Sequence, residues 1–378
     1  MSKTFFLALS TLIGATIGAG IFGFPYVVAK SGLVPGIIYF FLLGGVVLLL
    51  HLFFGEICLR TSGKYRLVGY AKIYLGKWGK LLATFVLFFV LAGALLSYLI
   101  LAGSFFDIVF SPWIHFPSTI VWSVLFWIAG SFFILKGRQL ITVAELFMNV
   151  GFFAAIGVLF LFAIPHMQSL QIPSFDIAGL PIAFGVFLFG FLGLEAIPEL
   201  ASFLKDTKEK MRLHSVIIWG SVGSGLLFAL FSFLIVGVSG TDTTEDALSG
   251  LVPVLGREIV LLGALFGILA ISSSFLVLGN YLKNSLRHDF GIPDMPAFFI
   301  ACSLPLILFL MGFRQFIEVI GVVGGIAGAA EGALIVLIFL KAKKLGDRTP
   351  EYDMKIPSFV LFLIVLILAA GAAQLIFD

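Results

Sequence analysis

Apolar residues fall in long unbroken blocks separated by short polar, often basic, connections. Eleven blocks stand out: Phe5–Ala29, Leu33–Leu59, Leu81–Phe110, Ser118–Leu135, Leu140–Ile164, Leu180–Leu204, Leu213–Val238, Gly256–Leu282, Ala297–Gly312, Phe316–Leu340 and Ile356–Phe377. Roughly 20 mostly apolar residues carry a helix across a bilayer. A lipid-embedded β-barrel needs alternation, which these blocks lack. Inside lipid every backbone polar group must be bonded internally, so the blocks are predicted to be helices, spans 1 to 11. Span 1 is too long for the apolar part of a secretory signal and has no small-residue cleavage site, so it is expected to be a retained helix.

Composition strengthens this picture. Hydrophobic residues make up 61% of the 378 and charged residues 11%, against about 25% charged in a soluble domain. That excludes a soluble enzyme, a nucleic-acid binder and a disordered chain. With the N-terminus in the cytoplasm, every Lys and Arg of the 23 falls on the cytoplasmic side except Lys30, Arg257 and Arg314. Such a bias is the usual mark of orientation, and it places the C-terminus outside, in what is expected to be the cell membrane. Cys58 and Cys302 are far apart and form neither a metal motif nor a disulfide framework. The basic loops read as topology signals.

Spans 1–5 are an odd-numbered set, so a repeat in spans 6–10 must be inverted, an arrangement found with broken helices in secondary transporters. Span 1 holds Gly20-Ile21-Phe22-Gly23-Phe24-Pro25 and span 6 holds Gly193-Leu194-Glu195-Ala196-Ile197-Pro198. Both read Gly, four residues, Pro. Gly14 and Gly18 precede the first, and Gly185 and Gly190 the second. Glycine also serves helix packing in membranes, and for Gly321, Gly324, Gly325 and Gly328 of span 10 packing or a moving contact stands beside any ligand role. A helix broken at glycine exposes N–H donors that suit an anion and C=O acceptors that suit a cation. Two such breaks at the midplane would hold an α-amino-acid zwitterion without charged side chains. The predicted architecture is an all-α polytopic membrane protein with a first repeat over 1–180, an inverted repeat over 181–345 and an eleventh helix in 346–378.

The run Thr11-Leu12-Ile13-Gly14-Ala15-Thr16-Ile17-Gly18-Ala19-Gly20-Ile21-Phe22 resembles the first-helix Gly-Ser-Gly-Ile-Phe pattern of the amino acid–polyamine–organocation superfamily. Phe189-Gly190-Phe191-Leu192-Gly193-Leu194-Glu195-Ala196 is similar to its sixth-helix pattern. Phe24-Pro25-Tyr26 with Ser31-Gly32 resembles the amino acid/auxin and aromatic amino acid permease branch. The resemblance implies a leucine-transporter-like fold, a 5+5 inverted repeat with helices 1 and 6 broken. It implies that the amides of Gly18, Ala19 and Gly20 hold a substrate carboxylate, that carbonyls of Ile17 and Phe189 take the ammonium, and that Gly190 and Gly193 line the same site. Tyr98 in span 3 either donates to that carboxylate or packs. The first-helix arginine of some relatives' outer gates is absent, so Phe22, Phe24 or Phe189 is the expected gate.

In sodium-coupled relatives, hydroxyls like those of Ser272-Ser273-Ser274 join first-helix carbonyls, which here would be those of Gly14 and Ile17, around Na⁺. Oxygen ligands suit such a hard cation, although serines also bond back to their own helix. Span 5 lacks the lysine of proton-coupled relatives and carries Glu145 and Asn149. Glu195, an ionisable group in a span, is a functional candidate by default: it senses or carries a proton, or braces the break. Glu331 in span 10 is expected to serve a structural hydrogen bond or a gate. The loops Gly63–Gly79 inside and Thr241–Gly256 outside are expected to close the site. The expected function is symport of a neutral amino acid driven by Na⁺ or H⁺ through alternating access, with no cofactor beyond a possible Na⁺. A transporter of another small organic solute, such as an amine or nucleobase, and a non-transporting sensor or channel stand as alternatives. No motif of an intramembrane hydrolase or ATP-driven pump is present.

Overall fold

The computed structural model describes residues 3–111, 113–114, 118–136, 156–167, 172–204 and 207–377. Helices account for all regular structure among them. In chain order they are α1 (Lys3–Ile17), α2 (Gly20–Ser31), α3 (Leu33–Arg60), α4 (Leu67–Phe110), α5 (Thr119–Lys136), α6 (Ile156–His166), α7 (Leu180–Phe191), α8 (Ala196–Phe203), α9 (Thr207–Lys210), α10 (Leu213–Ser239), α11 (Val252–Leu255), α12 (Arg257–Phe290), α13 (Asp294–Leu310), α14 (Phe316–Val322), α15 (Ala329–Leu345) and α16 (Ser358–Phe377). Among the described residues eight helices are long and apolar enough to span a bilayer, and α1 with α2 forms a ninth, bent by 51°. The shorter apolar α6 and α13 supply counterparts for spans 5 and 9. Most of span 5, with Glu145 and Asn149, lies outside the described residues.

Both paired interruptions are real breaks. Span 1 unwinds at Gly18–Ala19, where Gly18 has φ +34°, a left-handed backbone that glycine adopts without a Cβ penalty. Span 6 unwinds over Leu192–Glu195, between α7 and α8. Proline lies beyond the break each time, Pro25 inside α2 and Pro198 inside α8.

These broken spans lie at the centre. α7 packs against α2, α3, α14 and the segment after α14, and α1 packs against α8 and α10. The approach of α7 is close enough that a Cβ on Gly185 would overlap the Gly321 carbonyl, and one on Gly324 would lie 2.6 Å from the Phe189 amide nitrogen. So the span-10 glycines are a packing seam. Between α14 and α15 the chain forms a π-helix over Val323–Gly328, a widened turn that often marks a functional region and that hydropathy does not reveal.

Two segments expected as loops carry order of their own. Helix α4 begins at Leu67 and kinks at Gly76 (φ +72°), so most of 63–79 is helical. In 241–256 the buried Asp246 accepts from the Thr244 hydroxyl (2.6 Å) and from the amides of Leu248 (3.2 Å) and Ser249 (3.0 Å).

The connection 346–357 lies across the Lys/Arg-rich end of α3. Glu56, fully buried, accepts from Arg60 Nε and from the Met354 amide, each at 2.6 Å, with Lys343 Nζ at 3.2 Å. The Tyr352 hydroxyl donates to the Leu52 carbonyl (2.7 Å), and Arg348 donates to the Leu59 carbonyl (2.7 Å). Asp353 joins Arg60 (2.7 Å) and Lys343. This strap ties α3 to α15.

Candidate functional site

The first break is where α1, α2, α4 and α12 converge. A Cβ on Gly18 would sit 2.9 Å from the Tyr98 hydroxyl and 3.7 Å from Ser274 Oγ. That buried tyrosine hydroxyl is hydrogen-bonded to Ser274 and to the backbone of Ala19. The second break lies directly alongside: a Cβ on Gly193 would be 2.9 Å from Thr16 Oγ1, in the last turn of α1. Local bonds hold its loop, from the Ala196 amide to the Gly193 carbonyl (3.1 Å) and from the Ile197 amide to the Leu194 carbonyl (3.2 Å).

The arrangement brings the C-terminal end of α1, the N-terminal ends of α2 and α8 and one phenol together in the protein interior. First-turn amides and last-turn carbonyls have no partners within their own helix. Peptide dipoles of opposite sign therefore meet within a few residues, which is the electrostatic pattern of a zwitterion.

Of the residues singled out from the sequence, Ile17, Gly18, Ala19 and Tyr98 meet at the first break, with Gly193 and Glu195 at the second. Gly20 and Gly190 also face each other. A Cβ on Gly20 would run into the Gly190 Cα, and one on Gly190 into the Phe24 ring, so this pair is the backbone seam between α2 and α7. Phe189 is half-buried beside Gly324. Phe22 is fully buried among Phe105, Phe231 and Phe266, with ring centroids 4.9, 5.8 and 5.9 Å away. Phe24 packs on Phe187, Phe191 and Phe228.

The three serines considered for sodium occupy different surroundings on α12. Ser272 lines a cavity of 350 Å³ with Trp122, Phe126 and Phe275, on the α5 side of α12. Successive helical residues turn by about 100°, and the member of the triplet that reaches the break is Ser274. Gly14 and Ser273 are half-buried on α1 and α12.

A polar line leaves the site that the sequence reading did not join up. Glu195 interacts electrostatically with Tyr98, Tyr281 and Glu331. Glu331 is buried on α15, and its Oε2 has no hydrogen-bond partner among the described residues. Beyond them Arg66 lies over the Tyr281 ring at 4.3 Å and pairs with Glu199 at 3.1 Å. No motif links these positions; the signal available in the sequence was only that each is ionisable within or beside an apolar span.

Comparison with known proteins agrees with the fold. A profile of the tryptophan/tyrosine permease family matches residues 1–376. Glutamine transporter 2 of Aliivibrio fischeri is 22% identical over 318 residues, covering 82% of each chain. Among solved structures, MhsT in complex with L-phenylalanine matches with a TM-score of 0.65 at 18% identity, covering 100% of this chain and 98% of that one. Mhp1, a nucleobase-cation-symport-1 family transporter with bromovinylhydantoin bound, matches with a TM-score of 0.68 at 14% identity, covering 97% and 90%. These are transporters of the leucine-transporter fold, and this chain shares that fold.

Proposed function

We propose, from the premise that this chain belongs to the tryptophan/tyrosine permease family, that it is a secondary active symporter of a neutral amino acid, driven by an ion gradient. It is an integral membrane protein of the amino-acid or organic-solute transporter type. Within that class the amino-acid reading is carried by one observation: two helix breaks abut at Gly18 and Gly193, with the Tyr98 hydroxyl against the first. In this reading the amides at the start of α2 and the Tyr98 hydroxyl take the carboxylate, and the last carbonyls of α1 and α7 take the ammonium. The bound side chain points toward the phenylalanines. The glutamine transporter and the phenylalanine complex among its relatives support a neutral substrate. The resemblance to the aromatic amino acid permease branch belongs to the same reading, as do a site in the cell membrane and a cytoplasmic N-terminus.

Transport by this route alternates access. The clustered rings of Phe22, Phe105, Phe231 and Phe266 close one side, and the Arg66–Glu199 pair over Tyr281 closes the Lys/Arg-rich side. The test is uptake of labelled L-tryptophan, L-tyrosine, L-phenylalanine and L-glutamine into proteoliposomes, with and without Na⁺ or pH gradients. The expected result is concentrative uptake of at least one. Uptake of none removes the amino-acid reading, uptake of a nucleobase or amine instead reassigns the ligand, and equilibration without accumulation removes symport.

A further inference from the structure

Glu195 and Glu331 come from the first and last spans of the second repeat and act on each other electrostatically beside the second break. The two segments are in contact: a Cβ on Gly328 would lie 2.6 Å from the Leu192 side chain. Glu331 lies three residues after Gly328, on the same helix face, and Glu195 lies three residues after Leu192. Glu331 is 1% exposed. Glu195 is enclosed by protein yet keeps some accessible surface at the break.

Among the described residues the cation of this cluster, Arg66, is already engaged. Tyr98 from α4 lies near Glu195, and Tyr281 from α12 lies near both carboxyls and near Arg66 and Glu199 in turn. Arg66 is held by Glu199 and by the Tyr281 ring. On α3, His51 is bonded to Ser221 (3.0 Å) and Glu56 to the strap, while α16 carries no titratable side chain. Neither carboxyl forms an ion pair among the described residues. Two desolvated carboxylates that repel each other do not both stay ionised without a cation.

We propose that Glu195 and Glu331 form the site that carries the coupling proton. This rests on the symport reading and names its ion. The pair shares one proton at rest. A second proton arrives with substrate through the accessible edge of Glu195 and neutralises both groups. Opening of the Lys/Arg-rich side frees Arg66 from Glu199, and the guanidinium then supplies the missing charge, so the proton leaves to water on that face. Glu331 follows directly on the π-helix, so its position depends on a turn that can change register.

The test combines substrate and proton fluxes in proteoliposomes containing a trapped pH dye. With one proton per substrate, each unit of pH gradient drives about tenfold accumulation. The wild-type protein should accumulate its substrate accordingly and acidify the lumen. The double variant Glu195→Gln/Glu331→Gln mimics the fully protonated pair and should lose both effects while retaining exchange of labelled for unlabelled substrate. Gradient-driven accumulation equal to wild type in the double variant overturns the proposal, as does accumulation driven by Na⁺ with no luminal acidification. A second measurement needs neither variant nor substrate. Dicyclohexylcarbodiimide modifies protonated carboxyls in apolar surroundings. Peptide mapping of the treated wild-type protein should find it on Glu195 or Glu331, less at alkaline pH, and absence from both overturns the proposal. If no amino acid is transported but the label is found there, the fault lies in the substrate reading and not in the carboxyl pair.

Discussion

Removing one oxygen atom tests the binding geometry. Tyr98→Phe keeps the ring, which is buried in α4, and deletes the hydroxyl that lies 2.9 Å from the position of a Cβ on Gly18. Two losses follow, and their sizes separate them. The hydroxyl's bonds to Ser274 and the Ala19 backbone are neutral, and side-chain hydrogen bonds within membrane proteins average about 0.6 kcal/mol. A bond from the same hydroxyl to a substrate carboxylate is charge-assisted, worth about 1.5–3 kcal/mol, so its loss weakens binding by about 10- to 150-fold. Binding should therefore suffer far more than stability. Calorimetric titration of the purified protein with whichever amino acid the uptake panel identifies gives the first number, and thermal unfolding of the same sample gives the second. Tyr98→Phe with the wild-type Kd would refute the carboxylate role and leave the tyrosine as packing.

Other expectations follow from neighbouring features. Gly18→Ala forces a side chain onto a left-handed residue, at about 1–2 kcal/mol, and pushes it against the Tyr98 hydroxyl; it should abolish binding in the same titration even if the protein inserts normally. Gly324→Ala meets backbone of α7 rather than a movable side-chain end, so it should destabilise by roughly 1–3 kcal/mol, whereas Gly45→Ala, with nothing within 4 Å, should leave the unfolding temperature unchanged. The hydrogen bond from Lys343 holds the Asp353 carboxyl below the ordinary carboxylate range. A lowered value means that the strap's contribution is complete above a pH of about 4 and is lost only as pH falls through the lowered value. A spin label at Thr349 should accordingly stay immobile from weakly acidic to neutral pH and loosen only below that, while Asp353→Asn should be loose throughout.

Much of this was legible in the residues because it depends on local rules. Continuous apolar runs gave the spans, and glycine followed by proline gave both breaks, since neither residue type favours an unbroken helix. What escaped depends on azimuth and on partners distant in the chain. Ser272, Ser273 and Ser274 sweep about 200° of helix surface, so spacing alone cannot say which faces α1; the structure chooses Ser274. Gly20 and Gly190 carry a second duty that spacing does not show: each leaves room for the other's helix. Glu331 gained meaning only once α15 was seen beside the second break, and the π-helix before it alters the helical phase on which any sequence projection relies.

The strap also has a bearing on biosynthesis. Glu56 belongs to the second span to leave the ribosome, yet the amide of its partner Met354 arrives 298 residues later. At about 5–20 residues per second, that is a wait of some 15–60 s, during which only Arg60, one turn along the same helix, is available to the carboxylate. One of the earliest spans to be made is thus among the last to be sealed. A nascent chain halted before residue 343 would display an unfinished α3 to the quality-control machinery, however well its first five spans had inserted.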